Sequence, residues 1–159
     1  MAAMAQIDVA VEIEISGAAP ADVASVMFDP AREPEWIEAV TGVEVIDPAL
    51  APGARVVHRG RVLGQELTWT TEVEAVHFPH ILTLRITEGP FVGTVQYNIQ
   101  RSGTGSHVRV RNVGDPTIRF VPASFIAGPM KSAMSADLER LKALVETQRA
   151  ERQPARPKV

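Results

Sequence analysis

The order of its segments constrains this chain more than any single motif. A strictly alternating stretch, Ile7-Asp8-Val9-Ala10-Val11-Glu12-Ile13-Glu14-Ile15, places isoleucines and valines on one face and Asp8, Glu12 and Glu14 on the other. That period of two defines a half-buried strand. Two short helical stretches ending at Trp36 come next, then several more alternating segments, then one amphipathic helix near the C-terminus. A long, strongly curved sheet closed by a single helix encloses space, so a chain ordered this way is expected to hold a small apolar molecule.

The segments are bounded by turn chemistry. Strand one covers 6–15 and breaks at Ser16-Gly17. Pro20 opens a helix over about 20–28, with Asp22 in the first turn where the helix dipole favours an acid. Asp29-Pro30 ends it, and a second short helix runs to Trp36-Ile37. Strand two is read as 41–47, and strands three to seven as 54–62, 66–76, 80–88, 91–101 and 106–113. Leu63-Gly64, His77-Phe78-Pro79, Gly89-Pro90 and Ser102-Gly103-Thr104-Gly105 separate them. The last helix begins at Phe125 or Pro129 and ends at Gln148, with Met130, Met134, Leu138, Leu141 and Val145 on one face. One domain is therefore expected over 1–148. A tail, 149–159, with two prolines and four basic residues, has a composition that predicts disorder.

Composition excludes several alternatives. At 159 residues, 45% hydrophobic and 22% charged, the chain has the makeup of a soluble globular domain. No run approaches the ~20 apolar residues that span a bilayer, so stable membrane insertion is not expected. Met1 to Gln6 lack the basic flank and apolar stretch of a signal peptide, which makes the cytoplasm the expected location. The absence of cysteine removes disulfides, thiolate metal sites and a cysteine nucleophile. Residues 1–50 carry a balance of −9 and residues 51–159 one of +6. Arg55, Arg59, Arg61, Arg109 and Arg111 alternate with apolar residues and have no interleaved aromatics to stack on bases. They read as cross-strand partners of acids, and nucleic acid is not an expected partner.

These residues carry a resemblance. Val11-Glu12-Ile13-Glu14-Ile15, then Pro20-Ala21-Asp22-Val23 with Asp29-Pro30, then Pro34-Glu35-Trp36, resembles the opening of a START-like helix-grip domain. Within that superfamily, shared with the birch-pollen allergens (SRPBCC), the chain is most similar to the polyketide cyclase/dehydrase branch. Gly53, the Gly103-Thr104 turn and the closing Leu138-Glu139-Arg140-Leu141-Lys142 helix fit as well, and the likeness covers about 6–147. It implies an α+β helix-grip fold: a seven-stranded curved antiparallel sheet wrapped around a long C-terminal helix, with two short helices between strands one and two. Members include lipid and hormone carriers, cyclases, hydroxylase domains and co-chaperones, so the resemblance implies fold more strongly than activity.

Tight turns fix strand register, and a slip of one residue would move every side chain to the opposite face. A turn at Leu63-Gly64 sets Arg61 opposite Glu66, His58 opposite Trp69, Val56 opposite Thr71 and Arg55 opposite Glu72. A turn at Phe78-Pro79 pairs Val73 with Leu84, Thr71 with Ile86 and Glu72 with Arg85. The next two turns pair Leu84 with Val95, Leu82 with Tyr97, Tyr97 with Val110 and Val95 with Asn112. The inward set is then Val56, His58, Leu67, Trp69, Thr71, Val73, Leu82, Leu84, Ile86, Val95, Tyr97, Ile99, Val108, Val110 and Asn112. His58, Thr71 and Asn112, with Glu88 at its strand end, fall toward one end of the sheet. The first half of the last helix, Phe125 to Met134, should cover that end. The expected ligand contacts are His58, Trp69, Thr71, Leu84, Ile86, Val95, Tyr97, Val110, Asn112, Phe125, Met130 and Met134.

Each of these residues also has a plainer reading. His58 is either an acid/base catalyst or a hydrogen-bonded wall residue. Glu88 reads as an exposed turn carboxylate, Trp36 as a plug between short helices and sheet. Tyr97 offers a ring wall and a hydroxyl. Asn112 either meets ligand or satisfies backbone groups, and Met130 and Met134 form either an adaptable lid or plain core. Pro129 either starts the last helix or lies inside it, where it removes the hydrogen bond to the Phe125 carbonyl and makes a hinge. His77 and His80 share a loop, with no helical zinc motif and no acidic calcium loop, so no metal is expected. Gly60-x-x-x-Gly64 lacks the following lysine of a phosphate loop. Gly103-Thr104-Gly105 joins antiparallel strands and is no dinucleotide fingerprint. Ser124 and Ser132 lack a nucleophile elbow. No cofactor is expected, and a homodimer is left open. Three functions remain: a non-catalytic carrier of a lipid, isoprenoid or polyketide-like molecule, a cyclase or dehydratase using His58, and a co-chaperone-like interaction module.

Overall fold

The structure is a computed structural model that describes residues 6–62, 64–117 and 122–152. Strand β1 (Ile7–Ile15) leads through Gly17 into helix α1 (Pro20–Met27), which starts with Pro20 in its first turn. A single 3-10 turn, Pro30–Arg32, opens on Asp29, whose carboxylate accepts the Ala31 N–H at 3.0 Å. It runs into the one-turn helix α2 (Glu33–Trp36). Strands β2 (Val40–Val45), β3 (Arg55–Val62), β4 (Gln65–His77), β5 (Ile81–Glu88), β6 (Phe91–Ser102) and β7 (Gly105–Pro116) follow. Helix α3 (Ala123–Arg152) closes the molecule.

The seven strands form one antiparallel sheet in the order β1-β7-β6-β5-β4-β3-β2. Every expected pairing is present, including His58 with Trp69, Thr71 with Ile86, and Val95 with Asn112. Tight turns account for this agreement, because each fixes the offset of the strands it joins. Some charged partners follow the register, as Arg61 with Glu66 and Arg109 with Glu12, and two do not. Bulges in β4 flank Thr71 and Val73, and Arg85 meets Glu74 at 3.3 Å although it lies opposite Glu72. Arg55 likewise meets Asp47 at 3.3 Å. A bulge adds a residue to one strand, re-aims its side chains and shifts the pairing by one residue, and the two bulges bracket the Thr71–Val73 stretch.

The concave face of the sheet holds the core. Helix α3 lays Met134, Leu138, Leu141 and Val145 against it, all buried, a spacing of three and four residues along one helical stripe. Each such side chain contributes about 1.5–3 kcal/mol on burial. The helix packs chiefly on β1, β7, α1 and α2. It stands away from β3, β4 and β5, and the cavity lies in that gap. Ser106, fully buried, donates to the Ala18 carbonyl at 2.6 Å and ties the β1–α1 turn to β7.

One alternative about α3 is resolved, and its expected end is corrected. Its first turn is at Ala123, so Pro129 lies inside the helix and does not start it. The helix also continues past Gln148 to Arg152, covering four residues of the expected tail. Arg152 reaches Asp22 at 3.0 Å and Arg32 reaches Gln148 at 2.8 Å, anchors between α3 and the α1–α2 segment that composition does not reveal. Residues 153–159 lie outside the described part of the chain.

Candidate functional site

His58 sits in the middle of β3 with its side chain turned into the concave face, where it is 2% exposed. Its ring stacks on the Trp69 indole from β4, centroids 5.5 Å apart and planes 6° from parallel. Nδ1 lies 2.8 Å from Glu33 Oε2 and Nε2 lies 2.8 Å from Thr71 Oγ1. Neither Nδ1 nor that carboxylate oxygen has a hydrogen-bond partner, so each is the nearest polar group the other has. Nε2 and the Thr71 hydroxyl form a hydrogen bond whose direction follows the ring tautomer, while Nδ1 faces the Glu33 carboxylate at ion-pair distance without hydrogen-bond alignment. Both nitrogens are therefore occupied, and neither is free to face a ligand.

Close approach of the elements makes this geometry possible. Gly60, two residues along β3, lies so near the α2–β2 connection that a Cβ there would fall 1.9 Å from the Ala39 carbonyl oxygen and 2.8 Å from the Trp69 ring. The absence of a side chain lets α2 descend onto the sheet and present Glu33 and Trp36 to its concave face. Trp36 is buried and meets Tyr97 edge-on at 6.0 Å. Phe28 stacks on the same tyrosine at 6.4 Å. A clamp from α3 holds α2 in place: Arg140 donates to the Trp36 carbonyl at 3.1 Å and pairs with Asp137. Asp137 in turn accepts the Glu38 N–H at 3.2 Å.

Two adjoining chambers fill the gap under α3. The outer one, about 460 Å³, is walled by apolar side chains including Phe91, Ile126, Met130 and Ala133, with Arg61 on its wall. The inner one, about 170 Å³, holds the polar groups: Glu33, His58, Thr71, Tyr97, Trp36 and Asp137. Trp69, Ile86 and Asn112 line both. Burial, reinforced by the charges of Glu33 and Asp137, pushes the Tyr97 hydroxyl well above the ordinary tyrosine range. Burial also raises Asp137, against the lowering effect of the Glu38 N–H and Arg140.

The expected wall residues fall as follows. His58, Thr71, Leu84, Val95, Tyr97, Val110 and Met134 line the inner chamber, and Met130 the outer. Val56, Val73 and Leu82 border a void of about 30 Å³ beyond them. Asn112 satisfies no backbone group with its side chain: its amide meets the Met130 sulfur at 3.9 Å and its Oδ1 is buried without a partner. Phe125 is corrected, being 72% exposed and lining neither chamber. The stripe over the cavity passes through Ile126, Met130 and Ala133, and Phe125 is turned off it by the ~100° step of an α-helix. Leu67 also lies outside both chambers, and Glu88 is exposed.

Glu33 and Asp137 were not expected. An acid opening a short helix reads as a dipole-favoured surface group. Asp137 left a trace in the sequence, since it occupies a position between Met134 and Leu138 on the buried stripe. Among the described residues no cluster of side chains suits a metal ion, and no helix is long and apolar enough to cross a membrane.

A helix-grip sheet with a polar-ended internal cavity defines a class of protein, and sequence comparison places the chain within it. The model for the family described as polyketide cyclase / dehydrase and lipid transport matches residues 6–146, and the chain belongs to that family. Solved structures share the fold. TTHA0849 from Thermus thermophilus is 18% identical with a TM-score of 0.77, covering 89% of this chain and 98% of its own. The ZhuI aromatase/cyclase from Streptomyces sp. R1128 is 14% identical with a TM-score of 0.78, covering 98% and 100%. Ara h 8.0201 is 14% identical with a TM-score of 0.69, covering 90% and 99%. No curated protein matches the sequence.

Proposed function

We propose that this protein binds a small hydrophobic molecule, of lipid, isoprenoid or polyketide-like character, inside the helix-grip cavity and holds it without transforming it. The observation that carries this reading is the pairing of an apolar chamber of about 460 Å³ with a smaller polar-ended one. Pockets of a few hundred cubic ångströms with a few convergent polar groups suit a single small ligand. The occupied nitrogens of His58 support a wall role over a catalytic one. The two chambers also weigh against an interaction module with a filled interior. Native mass spectrometry of gently purified protein tests the reading. A co-purified hydrophobe at one per chain is the expected result. If no apolar probe, from fatty acids to fused aromatics, binds the emptied protein, the reading fails.

One observation favours a second reading, a cyclase or dehydratase. A carboxylate on Nδ1 and a hydroxyl on Nε2 form a buried chain along which a proton can be passed by way of Thr71. His58→Ala separates the two. A carrier keeps most of its affinity, whereas an enzyme binds and loses turnover.

A further inference from the structure

Besides the facing Glu33 and His58 atoms, two polar atoms of the inner chamber remain unused by the fold. The Trp36 indole N–H, on a residue 3% exposed, is buried without an acceptor, and Asn112 Oδ1 is buried without a donor. An unmet buried donor or acceptor costs about 1–3 kcal/mol, and a cavity group placed to meet it recovers that cost. The same chamber carries two carboxylates, Glu33 and Asp137. Arg61 is the sole lysine or arginine among the described lining residues of either chamber; it belongs to the outer one, where it is exposed and lies 3.6 Å from Glu66.

We propose that the inner chamber selects ligands whose leading end is an uncharged hydroxyl or ketone and rejects those that lead with a carboxylate. Trp36 and Asn112 are the recognising groups, Glu33 and Asp137 the excluding ones. This rests on the cavity being a ligand site. The indole N–H donates to a ketone or hydroxyl oxygen, and Asn112 Oδ1 accepts from a hydroxyl. An anion entering the same space finds neutral donors, the Trp36 N–H among them, and two carboxylates, but no cation. Arg140 lies outside the chamber wall and pairs with Asp137 and, at 3.6 Å, with Glu38; it offsets part of the Asp137 charge but presents no cation to a ligand. The Tyr97 hydroxyl reports the same field: both carboxylates add to burial in opposing negative charge at its oxygen. An anionic group is thus directed to the outer chamber and Arg61, and a neutral polar end to the inner one.

Three probes of one shape test this by calorimetry at neutral pH: naphthalene, 2-naphthol and 2-naphthoate. The naphthol is expected to bind at least about tenfold more tightly than the naphthoate, the discrimination that an unpaired buried charge provides. Trp36→Phe, which keeps a ring and removes the N–H, should weaken the naphthol and leave naphthalene unchanged. Asp137→Asn and Glu33→Gln should each raise naphthoate affinity. Equal affinities for naphthol and naphthoate in the wild-type protein, which needs no variant to fold, overturn the selectivity while leaving the binding reading intact. No binding of any of the three, nor of neutral N-phenyl-1-naphthylamine, overturns the binding reading and the selectivity with it.

Discussion

At the scale of single residues, the site depends on close contacts that tolerate little change. Gly60 is the clearest case, since any side chain there meets the Ala39 carbonyl and the Trp69 ring. Gly60→Ala is expected to lower stability by about 1–3 kcal/mol, as overpacking does, and to show as a fall in the urea midpoint. An unchanged midpoint would mean that α2 does not sit down on β3 as described. The Glu33–His58 contact makes a second prediction. Removing Glu33 takes away the one charged group that faces Nδ1, at a cost of about 1–3 kcal/mol. A double-mutant cycle of Glu33→Ala with His58→Phe should give a coupling of about 1–3 kcal/mol, and additivity would contradict the contact. The two residues were not equally legible. His58 declared itself by strand alternation, but Glu33 lies at a helix start where an acid is unremarkable. Only the packing of α2 against the sheet, set by contacts far along the chain, turns it inward.

At the scale of elements, α3 divides at Pro129. Well beyond it runs the buried stripe from Met134 to Val145, whereas the turns on either side of the proline, with Ile126 before it and Met130 just after it, wall the outer chamber. Pro129 has no N–H for the Phe125 carbonyl, and the lost bond and ring clash weaken the helix at that point. Pro129→Ala should stiffen the cover and slow release of N-phenyl-1-naphthylamine in a stopped-flow displacement; an unchanged off-rate removes the hinge. The position of the proline in the helix was not fixed by sequence, because Pro129 suits a first turn as well as an interior kink. The strands were read with better success for a physical reason. A β-strand shows its inward face directly through a period of two, and four turns constrained the same map. Helix α3 offered only a stripe, on which a shift of one residue separates exposed Phe125 from Ile126 in the chamber wall.

At the scale of the whole molecule, the acidic start and basic remainder of the chain are brought together by topology. Strand β1 lies beside β7, so Asp8 meets Arg111 at 2.7 Å and Glu12 meets Arg109 at 3.3 Å, while Asp22 meets Arg152 across the helices. Such exposed pairs contribute little individually. They do set a direction: the Arg111 guanidinium holds the Asp8 carboxyl below its usual range. The stability Asp8 contributes is therefore present above pH 3.8 and lost as pH falls through its folded value. Asp137 has the opposite sign. Its folded value is raised above 3.8, chiefly by burial, so its contribution is present below that value and lost as pH rises through the folded one. Above that raised value its charge opposes the fold while helping to exclude anions from the chamber, with Glu38, Arg140, Glu33 and Tyr97 as its titratable and charged surroundings. Asp137→Asn keeps an acceptor for the Glu38 N–H and removes the buried charge. Urea unfolding of both proteins from acidic pH upward should show the variant gaining on the wild type as pH rises from about 3.8 through the raised value. Asp8 and the other surface carboxylates titrate alike in both proteins and cancel in the difference. A gap that does not change with pH, or that closes toward neutrality, would mean that Asp137 is not held in the buried, desolvated position from which its role in the inner chamber is argued.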